Sequence, residues 1–308
     1  MRVKRRWHSF ALGTIAVLCL LFQMGCSLTE NQRKNAANFS SATTVLAEVT
    51  SNELVQMRNE TIMMNTYRLA AVGEEAGQAK LNDLDQKFDV ENVKVRIQAV
   101  EVLKTYGKLL ESLVKETQDE ELKDASQNFV ASINGLPTGD RKLDAKQSEA
   151  LGQLVYQMGG MIVEAKKAKA VKDIVGTTKE QIGHLCDLLS KEFDLSAANL
   201  LTQYKSTGDL AIAAVKRSFS ASNNDHKEVL TRLELVEIYK KIQANRDRVD
   251  SIAANLKIAI TNMKSANETL NDSLLEKEGI SINNIKDYSK SVKEIIDLIK
   301  VLGQDENE

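Results

Sequence analysis

The stretch "LVEIYKKIQANRDRVDSIAANLKIAITNMKSANETLNDSL", residues 235 to 274, decides the fold. Every seventh residue from its start is apolar: Leu235, Ile242, Val249, Leu256, Met263 and Leu270. That interval keeps one face of a helix apolar along its whole length, so the spacing predicts a long helix packed at a shallow angle. The companion positions are Tyr239, Arg246, Ala253, Ile260, Asn267 and Leu274, so polar groups enter the seam at Arg246 and Asn267.

The same rhythm appears on either side. One series runs Leu154, Met161, Ala168, Val175, Ile182 and Leu189, with Leu151, Met158, Ala165, Lys172, Lys179, Cys186 and Phe193 as companions. Near the end, Ile285, Tyr288, Val292, Ile295, Ile299 and Leu302 alternate strictly by three and four. A single proline, Pro137, interrupts 308 residues. Proline is excluded from helix interiors, so its scarcity fits long helices. Together these features predict an all-α, elongated bundle of long antiparallel helices with coiled-coil-like heptad packing.

Breaks divide the chain. The first helix should end near residue 76, and Asp89 is the expected N-cap of the next. The segment "NGLPTGD", residues 134 to 140, has two glycines and the proline and reads as a turn. Weaker breaks are expected at "KSTGD", residues 205 to 209, and "SNNDH", residues 222 to 226. Gly279 reads as a C-cap before a new start at Ser281.

The N-terminus reads as an address. Arg2, Lys4, Arg5 and Arg6 precede an apolar run from Phe10 to Phe22, followed by Gly25-Cys26. As a helix that run would rise about 20 Å, short of the ~30 Å hydrocarbon core of a bilayer. Positive head, short apolar middle and small-residue exit are the parts of a secretory signal. Gly25-Cys26 resembles the lipobox of bacterial lipoprotein precursors, although Gln23 and Met24 stand where that class usually has Leu and a small residue. The resemblance covers only residues 1 to 26. It implies cleavage before Cys26, acylation of that cysteine and, with Ser27 rather than Asp following, sorting to the outer membrane. Ordinary cleavage after small-x-small and an uncleaved anchor are the alternatives.

The expected organisation is a signal peptide over 1–25, a lipid-anchored tether over 26–40, a helical bundle over 41–302 and a polar tail over 303–308. Removing Arg2, Lys4, Arg5 and Arg6 from 41 basic residues leaves 37 against 43 acidic, shifting the net charge from −2 to −6. Such a sign-mixed, mildly acidic chain lacks the electrostatic footprint of a nucleic-acid binder. With Cys19 removed and Cys26 acylated, Cys186 would be the one cysteine left, so stability must come from packing rather than disulfides.

No catalytic or cofactor signature is present: there is no P-loop, GxGxxG, HExxH or CxxC. In "GHLCD", His184 and Cys186 lie two apart, which on a helix points them about 200° from each other and unsuits them to share a metal. Carboxylate pairs such as Glu234 with Glu237 and Asp225 with Glu228 read as solvated helix faces, and His226 as a surface or cap residue. No cofactor and no metal are expected. The glycines Gly152, Gly159, Gly160, Gly176 and Gly183 fall in one helical stretch, where each costs about 1 kcal/mol relative to Ala. They are candidates for a hinge or a partner-facing surface; the alternative is that "MGGM", residues 158 to 161, simply breaks the helix.

These features lead to the expectation of a lipid-anchored envelope protein, outer-membrane and facing the periplasm or cell surface. It would act without catalysis as a helical binding or scaffold module for another envelope protein, with homo-oligomerisation open. Alternatives are a small-molecule-sensing or carrier bundle with a pocket at "YQMGGMIVEAKK", residues 156 to 167, or an adhesin or envelope-protection protein.

Overall fold

A computed structural model describes residues 28–72, 80–115, 119–136, 164–222, 229–275 and 281–304. These residues form an all-α bundle. Its helices are α1 (Glu30–Val72), α2 (Val90–Val114), α3 (Asp119–Asn134), α4 (Glu164–Glu192), α5 (Leu200–Ala221), α6 (Val229–Leu274) and α7 (Asn283–Gln304). A single 3-10 turn, Gln86–Phe88, precedes α2.

α1 and α6 form the central pair, running antiparallel: Gln32 Nε2 near the start of α1 donates to Ser273 O near the end of α6 at 2.8 Å. Arg248 on α6 meets Glu53 and Glu60 on α1. α1 also contacts α2, α5 and α7, and α6 contacts α4, α5 and α7. The predicted seam on α6 is buried from Ile242 through Val249, Leu256, Met263 and Leu270, with Leu235 half-buried at its start. Both polar intruders have partners. Asn267 Oδ1 accepts from Tyr106 Oη at 2.8 Å, and Arg246 Nη2 pairs with Asp209 Oδ1 at 2.8 Å. On α7 the rhythm is buried from Ile285 to Ile295, while Ile299 is exposed.

α4 and α5 lie end to end along α6. Asp187 and Asp194 pair with Lys264 and Lys257, while Lys205 and Asp209 pair with Asp250 and Arg246. The break between them falls at residues 193–199. Its restart is a capping box, in which Asn199 Oδ1 accepts from Thr202 N and Thr202 Oγ1 accepts from Asn199 N, both at 3.0 Å. The break expected at "KSTGD" does not exist: α5 runs straight through residues 205–209. Gly208, read as a breaker, instead admits the Arg246 stem, whose Cδ would lie 2.7 Å from an added Cβ.

The tether expected over 26–40 is also corrected. α1 begins at Glu30, because Thr29 and Gln32 cap each other (Thr29 N to Gln32 Oε1 3.0 Å, Gln32 N to Thr29 Oγ1 3.2 Å). Ala36 and Phe39 are fully buried, so residues 30–40 belong to the core rather than to a linker. The Phe39 ring lies 6.2 Å edge-on from Tyr106 and 5.5 Å from Tyr288, joining α2 and α7 to α1.

α1 is buried largely through small and polar residues. Thr43 and Thr50 satisfy their hydroxyls on the carbonyls of Phe39 and Leu46, at 2.8 and 2.7 Å. Small side chains let α2 approach closely. A Cβ at Gly107 would meet Thr44 Oγ1 at 2.8 Å and the Ser40 carbonyl at 2.9 Å. Gly107→Ala should therefore cost about 1–3 kcal/mol in chemical denaturation, as overpacking does. Gly176→Ala should do the reverse, gaining up to about 1 kcal/mol of helix propensity, because its Cβ would make only an ordinary 3.6 Å contact with Asn271. Equal effects at the two positions would contradict the close approach of α1 and α2.

Asp89 caps α2, accepting from Asn92 N at 2.8 Å, as its position predicts. α1 ends at Val72, α3 at Asn134 and α5 at Ala221; the expected turn at Pro137 and the C-cap at Gly279 lie outside the described residues. Ser281 Oγ accepts from Asn283 N at the start of α7.

Candidate functional site

Cys26, Gly152, Gly159, Gly160 and His226 lie outside the described residues, as do residues 156–163 of the expected ligand pocket and the 303–308 tail beyond Gln304. Gly176 and Gly183 lie within α4, which is unbroken through both. The nearest atoms to their would-be side chains belong to Asn271 and Lys264 of α6, so the helix approaching them comes from the same chain. His184 is exposed while Cys186 is buried, and burial pushes the Cys186 thiol up to about 12. The pair therefore faces opposite environments, as the spacing predicts. Glu234 and Glu237 are exposed, with Glu237 paired to Lys240 at 2.9 Å. Among the described residues, no group of three His, Cys, Asp or Glu is placed to hold a metal, and no helix is long and apolar enough to cross a membrane.

Two arrangements absent from the motif reading stand out. The first is a buried charge network joining α1, α5 and α6. Arg248 Nη1 donates to Glu53 Oε2 and Nη2 to Glu60 Oε1, both at 2.9 Å, and Tyr204 Oη donates to Glu60 Oε2 at 2.5 Å. Glu53, Glu60, Arg248 and Tyr204 are all buried. Two carboxylates share one guanidinium, and Glu53 Oε1 and Arg248 Nε have no hydrogen-bond partner among the described residues. Burial pushes the Glu53 carboxyl above the usual range; Arg248 opposes this, and the nearby Glu60 adds to it. Burial alone would lower Arg248, but its two carboxylates hold it above its ordinary value.

A carboxyl whose folded-state pKa is raised gives a stability contribution that is full below the unfolded value, 4.5, and lost as pH rises through the folded value. The urea midpoint should therefore carry a downward component with rising pH in that window. Glu53→Gln should remove it while keeping an acceptor for Arg248. Parallel pH profiles for the two proteins would contradict this role for Glu53.

The second arrangement is at the end of the bundle where α1 finishes. Ser218 Oγ near the end of α5 donates to Ala71 O near the end of α1 at 3.0 Å. Here α5 and the start of α6 form a hairpin tied by cation–π contacts: Arg232 lies 4.6 Å from the Phe219 ring, and Lys216 Nζ lies 5.4 Å from the Tyr239 ring. Between them is an apolar groove of about 330 Å³ lined by Val215, Phe219, Leu235, Val236 and Tyr239 with Lys216 and Ser220. Beside it Val229, Leu230 and Leu233 are 46%, 71% and 55% exposed. Neighbouring exposed aliphatic residues of this kind mark interaction surfaces rather than cores. A wider cleft of about 750 Å³ between α2 and α3 is lined by mixed charges, including Glu101, Lys108, Glu111, Lys115, Glu121 and Asp124.

The chain matches no family model, no curated protein and no solved structure.

Proposed function

We propose that this protein is a lipid-anchored component of a bacterial envelope, held at the outer membrane through Cys26, that acts without catalysis by presenting a helical bundle to another envelope protein. The observation that carries this reading is the N-terminal sequence: a basic head, a short apolar run and Gly25-Cys26, followed within four residues by the first turn of α1. With the tether reduced to a few residues, acylation of Cys26 would fix the start of α1 close to the lipid surface.

α1 has 43 residues, about 63 Å of helix. Its far end, with the α5–α6 groove, would then stand well away from the anchoring bilayer. Support for binding rather than chemistry comes from the kind of surface found there: exposed aliphatic residues beside an apolar groove, with Lys216 and Arg232 laid over the Tyr239 and Phe219 rings.

Membrane partition of wild type and Cys26→Ser in native cells tests the reading. Wild type should sediment with membranes and enter the detergent-rich phase, and the variant should leave both. Identical partition of the two would remove the lipid anchor and the display mechanism that depends on it.

A further inference from the structure

We propose that the buried cluster of Glu53, Glu60, Arg248 and Tyr204 is a proton-dependent latch on α5: one proton held at Glu53 keeps α5 seated on α1 and α6, and its loss lets α5 lift while the rest of the bundle stays folded. This device stands apart from the lipid anchor and does not depend on it.

Charge counting comes first. Two carboxylates and one guanidinium leave the cluster one negative charge in excess, and Glu53, Glu60 and Arg248 are only 4%, 7% and 9% exposed. A buried charge without a counter-charge is neutralised rather than kept. The neighbouring cations are engaged elsewhere. Lys104 and Arg96 of α2 pair with Glu48 and Glu192, Lys205 of α5 and Arg246 of α6 pair with Asp250 and Asp209, and Arg58 pairs with Asp85. Charged residues of α7 are all exposed. Arg68, two turns beyond Glu60, feels burial alone, with no charge of the cluster acting on it. The charges that act on Glu53 are Arg248 and Glu60.

Hydrogen bonds place the proton. Three donors converge on Glu60: Gln56 Nε2 at 3.1 Å and Arg248 Nη2 at 2.9 Å reach Oε1, and Tyr204 Oη at 2.5 Å reaches Oε2. Glu53 receives only Arg248 Nη1, and its Oε1 has no partner among the described residues. A proton therefore relieves the most charge at Glu53. Tyr204 does not supply it, because burial and then Glu60 hold its hydroxyl far above its ordinary range, so it remains a donor.

The element that yields is α5. Between Tyr204 and Val215 its buried face is Thr207, Gly208, Ala211, Ile212 and Ala214, mostly small side chains, and Tyr204 is the largest side chain it buries. α1 and α6 instead bury Met57, Met64, Val249, Ile252 and Leu256 along the same stretch. Elements held by few large apolar contacts open first. Once Glu53 is ionised, the excess charge is relieved by water, and lifting α5 with Tyr204 admits water at the smallest loss of packing. The latch is thus closed at low pH and released as pH rises through the folded-state value of Glu53, which lies above 4.5.

Hydrogen exchange on the full chain tests this, with each segment's rate divided by its intrinsic rate at that pH. From about pH 5 to about pH 9, protection over α5 should fall at least tenfold further than protection over α4. In Glu53→Gln, whose side chain stands for the protonated acid, the ratio of the two should stay constant across that range. Tyr204→Phe should lower the ratio at every pH. A wild-type fall shared equally by α4 and α5 would overturn the proposal whether or not either variant folds. So would a wild-type profile persisting in Glu53→Gln, or a ratio untouched by Tyr204→Phe.

Discussion

Arg248→Ala should lower the unfolding free energy by about 3–5 kcal/mol, the largest loss expected of any single polar substitution in this bundle. The guanidinium is the cation to which both Glu53 and Glu60 hydrogen-bond, and all three residues are buried. Removing it leaves two carboxylates facing each other away from water, one of which already lacks a partner for Oε1 among the described residues. They must then take up protons or draw water into the core. A control separates this from lost packing. Replacing Glu53, Glu60 and Arg248 together with Met, and Tyr204 with Phe, should recover most of the stability, because apolar groups of similar volume substitute well for buried ion networks. If Arg248→Ala cost no more than an exposed change such as Lys216→Ala, the network would not be the buried junction of α1, α5 and α6 described above.

Phe39→Ala should cost about 3–5 kcal/mol, the range for deleting a buried aromatic ring. Phe39 is fully buried and stands between Tyr106 and Tyr288. Tyr106 in turn packs at 5.6 Å on Phe129 of α3 and hydrogen-bonds Asn267 of α6, so the cluster touches α1, α2, α3, α6 and α7. The same substitution distinguishes core from tether at residues 30–40. In a tether, loss of the ring would leave the urea midpoint unchanged. In the fold described here it opens a cavity beside two buried tyrosines. Tyr288→Phe is a milder companion, removing only the 3.1 Å contact of its hydroxyl with Thr43 Oγ1.

Seven-residue spacing made α6 and α7 legible because their buried faces consist of large apolar side chains at regular intervals. α1 was harder to read. Its buried face includes Asn35, Ser40, Thr43, Thr50, Glu53, Glu60, Thr61 and Asn65, so hydrophobic periodicity does not mark it as the central helix. Ser40, Thr43 and Thr50 satisfy their hydroxyls on preceding carbonyls, Asn65 donates to Leu84 O, and Glu53 and Glu60 enter the Arg248 network, which connects residues 188 and 195 positions apart; Thr61 Oγ1 has no partner among the described residues. Long-range pairing of that kind leaves no trace in spacing. The Thr29–Gln32 capping box was readable as T-x-x-Q, and marks the start of α1.

The break at residues 193–199 contains neither glycine nor proline, so the usual signals were missing there, while "KSTGD" had them without a break. Gly208 leaves room for the neighbouring Arg246 stem and makes no turn. The candidate groove had a partial signature. Leu230, Leu233 and Val236 extend the apolar content of α6 beyond what a single seam needs, but only the fold shows that Leu230 and Leu233 stay exposed while Val236 lines a groove.

Intact mass of the mature chain purified from native envelopes tests the central claim most directly. The account predicts a chain that begins at Cys26, lacks residues 1–25 and carries the added mass of lipid on its first residue. A chain of unmodified mass beginning after Ser27, or one retaining residues 1–25, would contradict it.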